Sequence, residues 1–257
     1  MSPFKANLNL LKVLMRMHLR SSDYRTLLGA LWSLAGPLLT FAVLYFIFVD
    51  RFGRGITLFS LKLLTGVIVI QFLMAVIQIT MNAMRQSRDV VVDSLTPSEV
   101  FLAAPLVVPL LKFIVEIGLC LALAVSSGVF HAANVLALLI LSFLFLLLSV
   151  GAGLYLGVLN SLAADVGEIW QRIQPILLFV CPVFYSLDML SPWGRWVVYW
   201  LNPATSFLIS YQTLISGHPV PGFSAWTMVR AALYAAVVFS TGYAFFKKFE
   251  KQIMETL

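Results

Sequence analysis

Four polar side chains, Gln71, Gln78, Asn82 and Arg85, interrupt a long apolar stretch at successive spacings of 7, 4 and 3. On a helix that spacing places them on one face. In hydrocarbon such a face must look at protein or at water, so it serves either hydrogen bonds between helices or the wall of a polar conduit. Lys112 and Glu116 stand one helical turn apart in another apolar run, where they can neutralise each other as a structural pair or pass a proton or ion. Tyr185, Trp193, Trp196, Tyr199 and Trp200 cluster within sixteen residues. Their rings suit the boundary between water and headgroups, or an outer gate whose faces stack on sugars.

Nothing in this set is a nucleophile with its base. The sequence has no Gly-x-x-x-x-Gly-Lys-Ser/Thr phosphate loop, and even the dipeptide Gly-Lys is absent. His18, His131 and His218 are scattered, without a His-Glu-x-x-His or a cysteine cluster, so no metal site is expected. There is no Gly-x-Ser-x-Gly elbow. Cys120 and Cys181 sit in apolar runs and read as buried free thiols.

The elements that must position these groups follow from composition. The chain has 257 residues, 61% hydrophobic and 11% charged, against roughly 25% charged in soluble domains. Lipid is the solvent for most of it. Spanning takes about 20 apolar residues, and six segments qualify: 31–49, 61–84, 105–129, 135–160, 170–185 and 225–246. Six spans put both termini on one side. The basic residues on that side are Lys5, Lys12, Arg16, Arg20, Arg25, Arg85, Arg88, Arg172, Lys247, Lys248 and Lys251; opposite lie Arg51, Arg54, Lys62, Arg195 and Arg230. The bias predicts cytoplasmic termini, and bases that flank spans argue against nucleic acid as a partner. No cleavable signal peptide is expected, because the N-terminus is basic and amphipathic well before the first long apolar run.

Lys5, Asn9, Lys12, Arg16 and Arg20 form one stripe of a helix whose other side carries Leu10, Leu11, Leu14 and Met15. This is an interfacial helix, either an anchor or the guard of a cytoplasmic entrance that attracts anionic cargo. Thr96-Pro97-Ser98-Glu99 reads as a helix start leading into the third span. The charged stretch ahead of it, with Arg88, Asp89 and Asp93, is a surface for docking a soluble partner or a plain connector. Ser149, Gly153, Gly157 and Ser161 form a small-residue ladder for close helix packing. Pro175 and Pro182 should kink or end the fifth span. Beyond it, Ser191-Pro192 and Asn202-Pro203 each pair an N-cap residue with proline at the first helical position, and Gly217 suits a stop. Two short helices follow, too short to cross and placed to re-enter the membrane under cover of protein.

Tyr24-Arg25-Thr26-Leu27-Leu28-Gly29-Ala30-Leu31-Trp32 with Gly36-Pro37-Leu38-Leu39 closely resembles the start of the first span in permease subunits of type 2 ABC exporters of the polysaccharide class, which export O-antigen, capsule or teichoic acid. The likeness continues at Leu95-Thr96-Pro97, Ala164-Asp165-Val166, Cys181-Pro182-Val183-Phe184-Tyr185 and Asn202-Pro203. It covers essentially the whole chain in order. Ala164 departs from the family, which often has arginine there.

The resemblance implies one all-α integral membrane domain over residues 1–257: an interface helix (1–30), five spans (31–185), outer gate helices (186–222), a sixth span (225–246) and a cytoplasmic tail (247–257). It implies a homodimer in the bacterial inner membrane, paired with two copies of an ABC ATPase that alone binds ATP and Mg. The cargo would be a polysaccharide or lipid-linked glycan. Arg88, Asp89, Asp93 and Glu99 would couple to the ATPase, and Lys12, Arg16, Arg20 and Arg25 would face the cytoplasmic entrance. Trp32, Tyr45, Phe72, Trp170 and Phe184 would line the conduit with Gln71, Gln78 and Asn82. Tyr185, Trp193, Trp196, Tyr199 and Trp200 would belong to the outer gate. The competing expectations are a drug or lipid exporter of the same fold, an ion-coupled carrier using Lys112 and Glu116, and a membrane enzyme of glycan or lipid assembly.

Overall fold

The computed structural model describes the backbone of residues 3–21, 27–52, 58–86, 98–163 and 165–255, and the side chains of 7–20, 35–50, 58–84, 98–163 and 165–250. Regular structure among these is helical. In order come α1 (Pro3–Ser21), α2 (Leu27–Phe52), α3 (Phe59–Gln86), α4 (Ser98–Ala103), α5 (Val107–Ser126), α6 (Asn134–Leu162), α7 (Asp165–Val180), α8 (Pro192–Trp196), α9 (Pro203–Ser216) and α10 (Ala225–Glu255). A 3-10 turn fuses α4 to α5, and a π-helical turn, Val197–Leu201, extends α8.

Among the described residues four continuous stretches are long and apolar enough to cross a membrane: Phe59–Met84, Ser98–Ser126, Asn134–Leu162 and Ala225–Glu250. The other two expected spans are helical but differ. In α2 the described apolar part is Ala35–Asp50. The 16 residues of α7 rise only about 24 Å, short of the ~30 Å core. The cause is local, since Pro182 pushes the preceding residue out of helical geometry, and the last helix-type bond is Cys181 N–H to Leu177 O at 3.0 Å.

α3 is the centre of the bundle, with Leu63, Val67, Ile70 and Val76 fully buried. Beside it α6 lies unusually close to two neighbours. A Cβ on Gly153 would come within 2.6 Å of the Thr80 side chain on α3, and one on Gly151 within 2.6 Å of the Val238 carbonyl on α10. The small-residue ladder thus seats α6 against α3, and Gly151 adds a second close approach to α10.

Both predicted short helices form on the predicted caps. Ser191 accepts the Gly194 N–H at 3.2 Å, and Asn202 accepts the Ala204 N–H at 3.1 Å. α9 stops at Gly217 with φ of 67°, a left-handed turn that a β-carbon would strain. α1 rests on α4 and the start of α5, with Leu11, Leu14 and Met15 half-buried and Lys12, Arg16 and Arg20 exposed. The bundle therefore has a near end, holding α1, α4 and the C-terminus of α10, and a far end, holding the α5–α6 turn, α8 and both ends of α9.

Candidate functional site

At the near end, Glu99 is held inside the chain. Lys247 Nζ lies 2.5 Å from its carboxylate and the Tyr243 hydroxyl donates to it at 2.9 Å. Lys247 also reaches Glu250 at 3.0 Å, and the Ser98 hydroxyl donates to Glu250. These bonds clamp α4 to α10. Arg88, Asp89, Asp93 and Arg25 lie outside the described residues. Lys12, Arg16 and Arg20 present an exposed basic stripe.

In mid-bundle the amides of α3 are shared with its neighbours. Gln71 Nε2 donates to the Thr40 hydroxyl of α2 at 3.1 Å. Gln174 Nε2 of α7 donates to Gln78 Oε1 at 2.8 Å, and Gln78 Nε2 donates to Asn82 Oδ1 at 3.1 Å. Gln71, Gln78 and Asn82 all stay half-buried, so the ladder both ties α2, α3 and α7 together and leaves part of each polar side chain exposed. Gln174 was missed from sequence, although Gln171 and Gln174 interrupt an apolar segment and were a visible signal.

The aromatic residues divide. Phe72 packs in the core, its ring 4.1 Å from Phe113 and 5.8 Å from Phe145. Trp170 and Phe184 are also buried within the single chain, Phe184 stacking on Phe48 at 4.4 Å. Tyr45 is exposed on α2 next to Phe41. The side chain of Trp32 lies outside the described residues. Hydropathy could not set these rotations, because α3 is apolar nearly all round. Lys112 and Glu116 approach to 3.7 Å with the carboxylate buried, a pair that neutralises itself within one turn.

The far end gathers ring faces and charge. A cavity of about 320 Å³ is lined by Trp196, Tyr199 and Trp200 together with Asp188 and Arg195. Arg195 is fixed by the Leu187 carbonyl at 3.1 Å and by Asp188 at 3.4 Å. From α10, the Arg230 guanidinium stacks 3.6 Å from the Tyr199 ring centre and 4.8 Å from that of Trp200, while its Nε donates to Ser206 at 2.9 Å. Tyr199 is further held by donation to the Gly222 carbonyl at 3.1 Å, and Tyr234 donates to the Trp200 carbonyl at 2.5 Å. Trp193, Trp196 and Trp200 are the exposed members, and Tyr199 is half-buried. Ring faces of this kind can stack on apolar sugar faces, and a carboxylate and a guanidinium beside them have the chemistry to bond hydroxyls. Arg230 and Asp188 were not anticipated as members, since Arg230 reaches Tyr199 only through the tertiary fold. A second cavity, of about 380 Å³, adjoins Tyr185, Phe184, Lys62 and Gln212 and shares Asp188.

Against known proteins, the profile of a family described as ABC-2 type transporter matches residues 9–215. A relative from Myxococcus xanthus, named O-antigen export system permease protein RfbA, is 21% identical over 249 residues, covering 96% of this chain and 95% of its own. A protein of the same name from Klebsiella pneumoniae is 24% identical over 208 residues, 80% of each chain.

Proposed function

The chain belongs to the ABC-2 type transporter family, and from that premise we propose that it is the membrane permease of an ATP-driven exporter of a polysaccharide or lipid-linked glycan. Two copies form the channel and two copies of a separate ABC ATPase drive it. ATP and Mg bind on that partner. The protein resides in the bacterial inner membrane, with α2, α3, α4–α5, α6, α7 and α10 as its six crossings, α7 completing its path through the non-helical segment after Val180. Both termini are cytoplasmic, so the near end faces the ATPase and the far end faces outward. α8 and α9 re-enter from that outer face.

The observation that carries the glycan reading is the far-end cavity, where Trp196, Tyr199 and Trp200 stand with Asp188 and Arg195. The names of the relatives agree with it. A long glycan needs a continuous path with many weak contacts, and aromatic faces beside amides hold it without trapping it. The half-buried amides Gln71, Gln78 and Asn82 supply that path through the membrane, and the basic stripe of α1 draws an anionic lipid-linked end to the inner mouth. Glu99 contributes by bracing α4, through which docking of the ATPase on Arg88, Asp89 and Asp93 is passed to α5 and α10.

Deleting the gene and measuring surface glycan tests this. Loss of long surface glycan, restored by a plasmid copy, is expected. Unchanged glycan with altered tolerance to drugs would assign the chain to the drug or lipid exporters instead.

A further inference from the structure

We propose that the 380 Å³ far-end cavity is an oxyanion-binding subsite with Lys62 as its cation. The proposal goes beyond glycan export, because it specifies charge on whatever occupies the cavity. Lys62 stands at the start of α3, is only 7% exposed, and lines the cavity. Its backbone is held in place by Gln212, whose Nε2 donates to the Lys62 carbonyl at 3.1 Å. Among the described residues no carboxylate pairs with its ammonium group and no hydrogen bond engages it.

The surrounding polar groups sharpen the assignment. Asp188, the one carboxylate lining the cavity among the described residues, is taken by Arg195 at 3.4 Å. The Tyr185 hydroxyl is turned away and donates to the Phe179 and Val180 carbonyls at 3.2 and 3.3 Å. Ser186 lines the same cavity, and its hydroxyl is buried with no hydrogen-bond partner among the described residues. Lys62 and Ser186, unpartnered among the described residues, therefore share one space, and the single carboxylate of its described wall is already paired with Arg195. An ammonium group that lines a cavity without a carboxylate partner among the described residues is a ready site for a charge-assisted hydrogen bond to an anion. An ammonium group offers three donors and the hydroxyl a fourth, which suits the oxygens of one carboxylate or phosphodiester.

The volume lies at the small end of the range for small-molecule pockets. It admits one anionic group with a compact body, whose less polar side meets Phe59, Phe184 and Val183. Two sources carry this chemistry, an acidic sugar of a passing glycan and the phosphodiester of a lipid headgroup.

The test uses the purified full chain in phosphatidylcholine nanodiscs. Glucuronic acid and inorganic phosphate are titrated by calorimetry, with glucose as the neutral control, and a parallel set of nanodiscs contains phosphatidylglycerol, read as a shift in melting temperature. Saturable binding of glucuronate in phosphatidylcholine identifies the glycan source, stabilisation by phosphatidylglycerol identifies the lipid source, and binding of phosphate supports the oxyanion subsite for either. In either case Lys62→Met should weaken the effect about tenfold or more and Ser186→Ala about threefold, in line with bonds to charged groups. If Lys62→Met does not fold, Asp188→Asn serves in its place and should tighten binding by removing a negative charge from the wall. The proposal is overturned if neither anion source acts on the wild-type chain, if glucose binds as well as glucuronate, or if the variants bind as the wild type does.

Discussion

α8 and α9 are consecutive, start on the same device of a side-chain cap followed by proline, and finish in opposite surroundings. None of the residues of α8 is buried, whereas α9 is buried from Ala204 through Ser216. The polar side chains of α9 find partners inside the bundle. Ser210 donates to the Ser206 carbonyl at 2.7 Å, Tyr211 to Ser142 at 2.8 Å, Gln212 to the Lys62 carbonyl at 3.1 Å, and Thr213 accepts the Val220 N–H at 3.1 Å. Such a helix is a fixed plug in the far end. α8 instead holds its indoles outward and is tied down through Arg195 and the stacking of Arg230 on Tyr199 and Trp200. A short capped helix is thus a buried scaffold or an exposed surface element according to how many of its faces are covered.

The largest effect that would break this contrast concerns Phe207, fully buried on α9 with its ring 4.9 Å from Phe145. Phe207→Ala should lower unfolding free energy by about 3–5 kcal/mol, measured by denaturation in detergent micelles. Next, Gly151→Leu forces apart α6 and α10 and should cost about 1–3 kcal/mol, read in the same assay. If it is neutral, the close helix approach beneath the plug is wrong. Third, Asn202→Ala should lose about 1 kcal/mol and Ser191→Ala about 0.5, because only the first cap anchors buried structure; equal losses would erase the distinction. Smallest in stability is Trp193→Ala, within about 0.5 kcal/mol of wild type, yet surface glycan should fall if the exposed indoles of α8 guide cargo.

The local features of these helices were legible in sequence because capping is short-range chemistry: Ser191, Asn202 and Gly217 do what their types and neighbours dictate. The small-residue ladder at Gly153 and Gly157 was legible for the same reason. Helix rotation was not. α3 is apolar on almost every face, so nothing in its pattern separated Phe72, which went to the core, from Gln71, which bonds Thr40 one helix away. Nor could spacing show that Arg230 backs Tyr199, or that Lys62, at the edge of an apolar segment, would be enclosed beside Ser186. Such partners meet only when the bundle closes. The fifth span, read as 170–185, has the length of α7 but lies five residues too late: the helix runs from Asp165 to Val180, ending ahead of Pro182 as that proline's type dictates.

The central claim is that this chain is the conduit of an ATP-driven glycan exporter, and transport measures it most directly. Inside-out vesicles containing the chain and its partner ATPase should take up labelled glycan when ATP is hydrolysed, and should not do so with a non-hydrolysable analogue or with the chain alone. Uptake driven by a proton gradient without nucleotide, or chemical conversion of the glycan by the purified chain without uptake, would contradict the account.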